Sequence, residues 1–365
     1  MSVKSLFVAA TRQNDGKTMV SLGLFHAIMK RFPKVGYMKP VGQQYRIVDG
    51  KKIDKDAVLF QQVYDLKDKF LSMSPIAVPR GFTEAYIDAP RKEELEQKVL
   101  AAKAELIVDK DFLLIEGTGH SGVGTVFDLS NARTAKLLGA KVVLVSLGGI
   151  GRAIDEIMLN KAVFDKEGVE LMGVIVNKVK EDKFEKVGHY VEAGLARLNI
   201  PVLGKIPYIP SLHRPSVDAV FEELEGEVLS SRGSLYRSIE RCIIGDMVPH
   251  DILNIVTQNT LLIVPANREG LIMTALCGNL LRSDVTNAVS GIVFTGGKVP
   301  HQQVLEIIKK ANIPVMTVSQ DSFSVAKIIT KLLVKLRPEE TDKIKKVQSV
   351  VEEYVDVDRI CELIK

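Results

Sequence analysis

The chain has 365 residues, of which 46% are hydrophobic and 26% charged, with a net charge of +4 spread along its length. That length accommodates two domains of about 100–200 residues, and the absence of any basic block argues against a nucleic-acid or membrane partner. Met1-Ser2-Val3-Lys4 is too short and polar for a signal peptide, no apolar run reaches the roughly 18 residues of a membrane span, and Cys242, Cys277 and Cys361 lack metal-ligand spacing, so a cytoplasmic protein with ordinary thiols is expected.

Through the first 210 residues, short runs rich in Val, Ile and Leu alternate with amphipathic stretches. Strands are expected at Ser5–Ala9, Val35–Met38, Phe112–Ile115, Lys141–Ser146, Met172–Val176 and Val202–Ile206. Helices are expected at Lys17–Arg31, Lys92–Ile107, Ile150–Phe164 and Phe184–Leu198. Such alternation predicts an α/β fold, a parallel sheet flanked by helices, with ligands at the carboxyl ends of the strands. The proline-punctuated Ile206-Pro207-Tyr208-Ile209-Pro210-Ser211 cannot continue a helix and closes a first domain over residues 1–212. A helix at Val217–Glu225 and a polar turn at Ser230–Ser234 follow. Strand candidates Leu261–Val264, Gly291–Phe294 and Val315–Val318 and helix candidates His301–Ala311 and Ser324–Leu336 then place a smaller α/β domain at 215–336. Residues 337–365 form a charged helical tail that either packs back or pairs with another subunit.

The first strand leads into Ala10-Thr11-Arg12-Gln13-Asn14-Asp15-Gly16-Lys17-Thr18 and then a helix, the context of a P-loop. Gly16 lets the backbone approach phosphates, whose charge the helix N-terminus stabilises. Lys17 would reach the β- and γ-phosphates and the Thr18 hydroxyl would hold magnesium, so ATP with Mg2+ is the expected ligand. The usual leading glycine is replaced, with Ala10 or Thr11 near its place. Arg12, with Asn14 and Asp15, belongs to the expected nucleotide-binding loop. The spacing of Arg12 to Lys17 resembles that of the extra lysine in ParA and MinD-like ATPases, where a cation contacts phosphate across a dimer. A solvated loop arginine is the alternative.

Three further strand ends fall where a P-loop sheet gathers its site. Tyr37-Met38-Lys39-Pro40-Val41 ends in a lysine, Leu113-Leu114-Ile115-Glu116-Gly117-Thr118-Gly119 in a carboxylate, and Val174-Ile175-Val176-Asn177-Lys178 in an amide suited to the adenine edge. Glu116, a charge directly after a buried run, needs a partner and can complete a magnesium shell. His120 reads as a polar loop residue or an acid–base group. Gly148-Gly149-Ile150-Gly151 lacks dinucleotide-fingerprint spacing and reads as the start of a helix.

With Gly16-Lys17-Thr18, Lys39-Pro40-Val41, Asp56-Ala57, Glu116-Gly117 and Asn177 in that order, residues 1–210 resemble the dethiobiotin synthetase and cobyrinic acid a,c-diamide synthase group of P-loop ATPases. The resemblance implies magnesium at Thr18, Asp56 and Glu116, substrate or γ-phosphate contact at Lys39, and adenine at Asn177, with the Pro201–Pro207 segment, ending in Pro207, closing over the base. Asp56 alone could equally be a helix-start carboxylate favoured by the dipole. The loop departs from the Gly-Thr-Asp-Thr-x-Val-Gly-Lys-Thr of dethiobiotin synthetases, and Thr118-Gly119-His120-Ser121-Gly122 does not reproduce that family's substrate side, which puts diaminopelargonate carboxylation in doubt.

Residues 215–336 resemble the DRTGG domain through Ile244-Gly245-Asp246-Met247, Pro265-Ala266-Asn267-Arg268-Glu269-Gly270, Val293-Phe294-Thr295-Gly296-Gly297 and Ile313-Pro314-Val315-Met316, with Asn267 where the family has Asp. Thr295-Gly296-Gly297 is either a nest for a second small ligand or a tight turn. Together the two domains resemble the N-terminal half of long phosphate acetyltransferases. No acetyltransferase domain follows, so acetyl transfer by this chain alone is not expected. The expectation is a nucleotide-sensing regulatory ATPase forming a homodimer. The alternative is an ATP-dependent ligase that phosphorylates a carboxylate or carbamate acceptor, with Lys17, Lys39 and Glu116 as its catalytic set.

Overall fold

A computed structural model describes residues 3–230, 235–281 and 289–364. Residues 231–234 of the expected polar turn lie outside them. Two compact units emerge: Met1–Ile209 together with Leu336–Lys365, and Pro210–Lys335.

The first unit is built on a six-stranded sheet in the spatial order Val202–Pro207, Leu171–Val179, Lys141–Leu147, Lys4–Ala10, Phe112–Glu116, Val35–Met38. Every neighbouring pair is parallel. The strands are continuous apolar runs because helices cover both faces: Leu6–Ala10, Phe112–Ile115 and Val142–Val145 are fully buried. The helix Lys17–Met29 packs on the sheet beside an aromatic cluster in which Tyr37 stacks on Phe60 with ring centroids 3.6 Å apart and Phe25 meets Phe60 edge-on. A hairpin, Tyr45–Val48 with Lys51–Asp54, turns through Asp49 and Gly50, both at positive φ, and delivers the helix Lys55–Tyr64.

The C-terminal segment returns to this unit as helices Thr341–Tyr354 and Val357–Leu363. Gly23 makes room for it: a Cβ there would stand 2.4 Å from Val351 Cβ. Val355 bridges to Gly204, the Asp356 N–H donates to the Leu203 carbonyl, and Arg31 pairs with Asp358 at 2.6 Å.

The second unit has a five-stranded sheet in the order Glu227–Ser230, Val315–Thr317, Val289–Thr295, Thr260–Pro265, Arg241–Ile244. The first pair is antiparallel and the rest parallel. Ile252, Leu262, Ile272, Ile292 and Phe294 fill one face, and Val217, Leu261, Ile263, Val293 and Val325 the other. Among the described residues, no helix is long and apolar enough to cross a membrane.

Candidate functional site

The phosphate loop connects Lys4–Ala10, the fourth strand in spatial order, to the helix Lys17–Met29. Gly16 sits at φ 98°, where a side chain is strained, and a Cβ on it would stand 2.2 Å from Asn177 Nδ2. Glycine is required there on both counts. The helix starts without a side-chain cap and without an acidic residue in its first turn, so no side chain caps its first N–H groups and no first-turn carboxylate opposes the positive end of its dipole.

Within the loop, Asp15 is turned inward. Its Oδ2 accepts from the Thr11 hydroxyl at 2.6 Å and the Arg12 N–H at 2.8 Å. Burial raises its pKa, with those hydrogen bonds pulling the other way. Arg12 Nε lies 2.9 Å from Glu156 Oε2 on the helix Gly151–Glu167. Asn14 takes φ 69°, and its carbonyl accepts from Lys178 Nζ at 2.9 Å.

Lys17 is 8% exposed. Among the described residues its ammonium has no hydrogen-bond or ion-pair partner. Burial, followed by the positive charge of Lys39, pushes its pKa down to about 8.

Lys39, one residue beyond Val35–Met38, has the opposite environment. Nζ donates to Asp56 Oδ2 at 2.7 Å, Glu116 Oε1 at 2.9 Å and the Gly117 carbonyl at 3.2 Å. All three ammonium protons are used. Burial acts to lower its pKa, but the charges of Asp56 and Glu116 outweigh it and hold the amine protonated. Glu116, fully buried, also accepts from Thr18 Oγ1 at 2.8 Å and, on Oε2, from Tyr37 Oη at 3.1 Å. Asp54 caps the helix that carries Asp56, accepting from the Asp56 N–H at 2.9 Å. Burial and then the charge of Asp56 push Asp54 up to about 7.

Asp56 and Glu116 thus converge on one ammonium, and Thr18 joins them through its hydroxyl on Glu116. Their donor atoms are all hard oxygens, and two carboxylates with a hydroxyl fit magnesium, which takes few protein ligands and fills its shell with water and phosphate. No group of three or more His, Cys, Asp or Glu side chains suited to a metal occurs among the described residues.

Asn177 reaches the loop from the adjacent strand end. Nδ2 donates to the Asp15 carbonyl at 2.8 Å, and Oδ1 accepts from the Lys178 N–H at 2.9 Å. One amide N–H and one lone pair remain. Pro207 ends the edge strand opposite Val179. His120 stands apart from this cluster of contacts, its Nδ1 accepting from the Gly122 N–H at 3.2 Å. The glycine turn is held by two amides. Asn131 accepts from the Thr118 N–H and donates to the Thr118 and His120 carbonyls, while Asn160 accepts from the Ser121 N–H. Gly151 opens a helix, as expected of the Gly148–Gly151 turn.

Sequence reasoning overlooked Tyr37, Asp54 and Lys178. Tyr37 lies two residues before Lys39, the strand spacing that puts side chains on one face. Lys178 directly follows Asn177. Those were the available signals.

The sequence family described as an AAA domain matches residues 4–216, and that described as a DRTGG domain matches residues 219–332. A phosphate acetyltransferase of Nitratidesulfovibrio vulgaris is 25% identical over 361 residues, 96% of this chain and 50% of that protein. The chain thus spans about half the length of this relative. An ATP-dependent dethiobiotin synthetase of Clostridium kluyveri is 23% identical over 224 residues, 60% of this chain and 91% of that protein. Among solved structures, the MinC:MinD cell division complex of Aquifex aeolicus matches with a TM-score of 0.37 and 16% identity, covering 57% of this chain and 84% of that one.

Proposed function

We propose, from the premise that this chain belongs to the AAA domain family through residues 4–216, that it binds ATP with magnesium at the P-loop and works as a nucleotide-sensing regulatory ATPase. Similarity to a phosphate acetyltransferase and a dethiobiotin synthetase accompanies that membership. The observation that carries the reading is Lys17: a buried ammonium with no hydrogen-bond or ion-pair partner among the described residues, at the bare start of a helix. A polyanion is the ligand that compensates both.

In this reading Gly16 admits the phosphate chain, with Arg12, Asn14 and Asp15 shaping the loop around it. Lys17 neutralises the β- and γ-phosphates. Thr18, Asp56 and Glu116 hold magnesium, which when bound screens the charge of the phosphate oxygens. Asn177 reads the adenine edge and Pro207 borders the base. The domain over 215–336 takes a second ligand near Asp246, Arg268 and Thr295–Gly297, at the carboxyl ends of its parallel strands, and reports to a partner. The protein is a cytoplasmic homodimer, with 1–212 and 215–336 as its domains and 337–365 as an appended segment.

Isothermal titration of Mg·ATP into wild-type protein and Lys17→Ala tests the reading. Binding in the wild type that is lost in the variant supports it, and no binding in the wild type overturns it. Sedimentation velocity with and without nucleotide tests the homodimer.

The convergence of Lys39, Asp56, Glu116 and Thr18 within hydrogen-bond distance favours a second reading, an ATP-dependent ligase. There Lys39 leaves its carboxylates to position an acceptor oxygen, with Lys17 and Glu116 completing the set. Turnover that rises with one amine or carboxylate plus bicarbonate would establish it. Acceptor-independent, slow hydrolysis would favour the sensor.

A further inference from the structure

The glycine turn after Glu116 and the phosphate loop are joined by amides that all point the same way. Lys39 Nζ donates to the Gly117 carbonyl at 3.2 Å, and the other end of that peptide, the Thr118 N–H, donates to Asn131 Oδ1 at 3.0 Å. Asn131 Nδ2 donates to the His120 carbonyl at 2.7 Å, and the N–H of that same peptide, on Ser121, donates to Asn160 Oδ1 at 2.9 Å. Asn160 Nδ2 then donates to the Thr11 carbonyl at 3.2 Å, and the Arg12 N–H at the far end of that peptide donates to Asp15 Oδ2 at 2.8 Å. Backbone peptides alternate with side-chain amides, from an ammonium at one end to a carboxylate at the other. Neither asparagine can be turned over, because each Oδ1 meets an N–H and each Nδ2 meets carbonyls. Those carbonyls are Thr118 and His120 for Asn131, and Thr11 and Glu156 for Asn160. Asn131 is 5% exposed and Asn160 6%, so protein rather than water supplies their partners.

An amide that accepts at its oxygen becomes a stronger donor at its nitrogen, so aligned amides polarise one another, by about 10–30% per bond. The charged ends strengthen the effect, a cation where the chain accepts and an anion where it donates. Those ends are also where a ligand acts: Arg12 and Asp15 belong to the phosphate loop, and Lys39 bonds Glu116 and Asp56. The helix Gly151–Glu167 serves the chain twice, with Asn160 on the Thr11 carbonyl and Glu156, one turn earlier, on the Arg12 side chain. An anion seated in the loop changes the field at the Arg12 N–H and Asp15, and a continuous hydrogen-bonded network carries that change onward. We propose that Asn131 and Asn160 are positioning residues that couple occupancy of the phosphate loop to the glycine turn and Lys39, so that the turn reports whether the loop is filled. The proposal rests on the reading that the loop holds a polyphosphate, and it adds the route by which filling the loop is felt across the site.

Amide proton shifts follow hydrogen-bond polarisation and test the chain link by link. Backbone N–H resonances of Arg12, Ser121 and Thr118 are recorded by NMR on wild type, Asn160→Leu and Asn160→Asp, without ligand and saturated with magnesium tripolyphosphate. In wild type all three should move on binding. In Asn160→Leu, which can neither donate nor accept, Arg12 should still move and Thr118 should not. Asn160→Asp, as a carboxylate, keeps the acceptor for Ser121 and loses the donor to Thr11, so the response should break in the same place with the turn still anchored. A Thr118 resonance that stays still in wild type, or moves as far in both variants, overturns the proposal, because a shift felt through space survives the substitution. A second comparison needs no ligand. Lys39→Met should shift the Arg12 resonance, and Asn160→Leu in the same chain should abolish that shift. An Arg12 resonance unmoved in Lys39→Met, or moved equally in the double variant, overturns the coupling. Wild-type protein that binds no tripolyphosphate overturns the parent reading, and the ligand-free comparison then decides the chain by itself.

Discussion

Replacing Lys39 with methionine removes the charge that buried Glu116 and partly buried Asp56 share. The lysine side chain is 5% exposed, that of Glu116 0% and that of Asp56 14%, so water cannot substitute for the ammonium on the Glu116 side. Its three hydrogen bonds, at 2.7, 2.9 and 3.2 Å, disappear together. Breaking a buried ion pair by deleting one partner costs about 3–5 kcal/mol, because the remaining charge is left uncompensated. The upper half of that range applies here, since one ammonium serves both carboxylates. Urea unfolding with a chelator present should therefore show a markedly lower midpoint for Lys39→Met at unchanged slope. Millimolar magnesium should restore much of the loss in the variant and do far less for wild type, whose own lysine occupies the same oxygens. The double variant Lys39→Met with Glu116→Gln should be more stable than the two single losses predict when summed. A loss under about 1 kcal/mol, the range of an exposed pair, would refute the account of the cluster. A loss that magnesium leaves untouched would refute Asp56 and Glu116 as its ligands.

Lys17 carries a pH signature. Its folded pKa, lowered to about 8, lies below the unfolded value near 10.4. The unfolded chain therefore binds more protons across that window, and the stability of the ligand-free protein should rise as pH climbs from about 8 to 10. Anion binding runs the other way: tripolyphosphate affinity should fall on the order of tenfold between pH 7 and 9, and a flat profile by calorimetry would show that Lys17 does not meet the phosphates. Gly23→Ala should destabilise by about 1–3 kcal/mol through overpacking against Val351, and Val351→Ala in the same chain should recover part of it in thermal melts. Tyr37→Phe removes the donor to Glu116 Oε2 and should lower stability by about 1–3 kcal/mol, with no change in phosphate affinity greater than about twofold.

The parallel sheet was legible because its strands are buried on both faces and therefore read as unbroken apolar runs, as in Lys141–Leu147. The phosphate loop was legible because its chemistry sits in consecutive residues. The hairpin at Tyr45–Val48 and Lys51–Asp54 was not. Asp49-Gly50 carries a turn signal, yet Arg46, Ile47, Lys51 and Lys52 are exposed and show no alternation. The helix Glu269–Leu281 escaped because its residues are apolar nearly throughout and show no polar stripe. At the site, Lys39, Asp56 and Glu116 were each picked out as strand-end or helix-start charges, but their union was invisible. Thr18 and Glu116 are 98 positions apart, and Lys39 and Glu116 are 77, so only the sheet order makes them neighbours. The saturation of Lys39 and the inward turn of Asp15 are matters of side-chain direction, which spacing does not encode.

The return of the C-terminal helices to the phosphate-loop helix bears on how this protein is made. Arg31 and Asp358 pair across 327 positions, and the whole second unit is synthesised between them. At roughly 5–20 residues per second, a ribosome leaves the groove around Gly23 bare for tens of seconds while a complete second sheet emerges and folds. The unit that starts first is finished last. Nascent chains should therefore carry an apolar helix face in need of a chaperone through that interval, and a fragment cut at the boundary between the units would keep that face permanently.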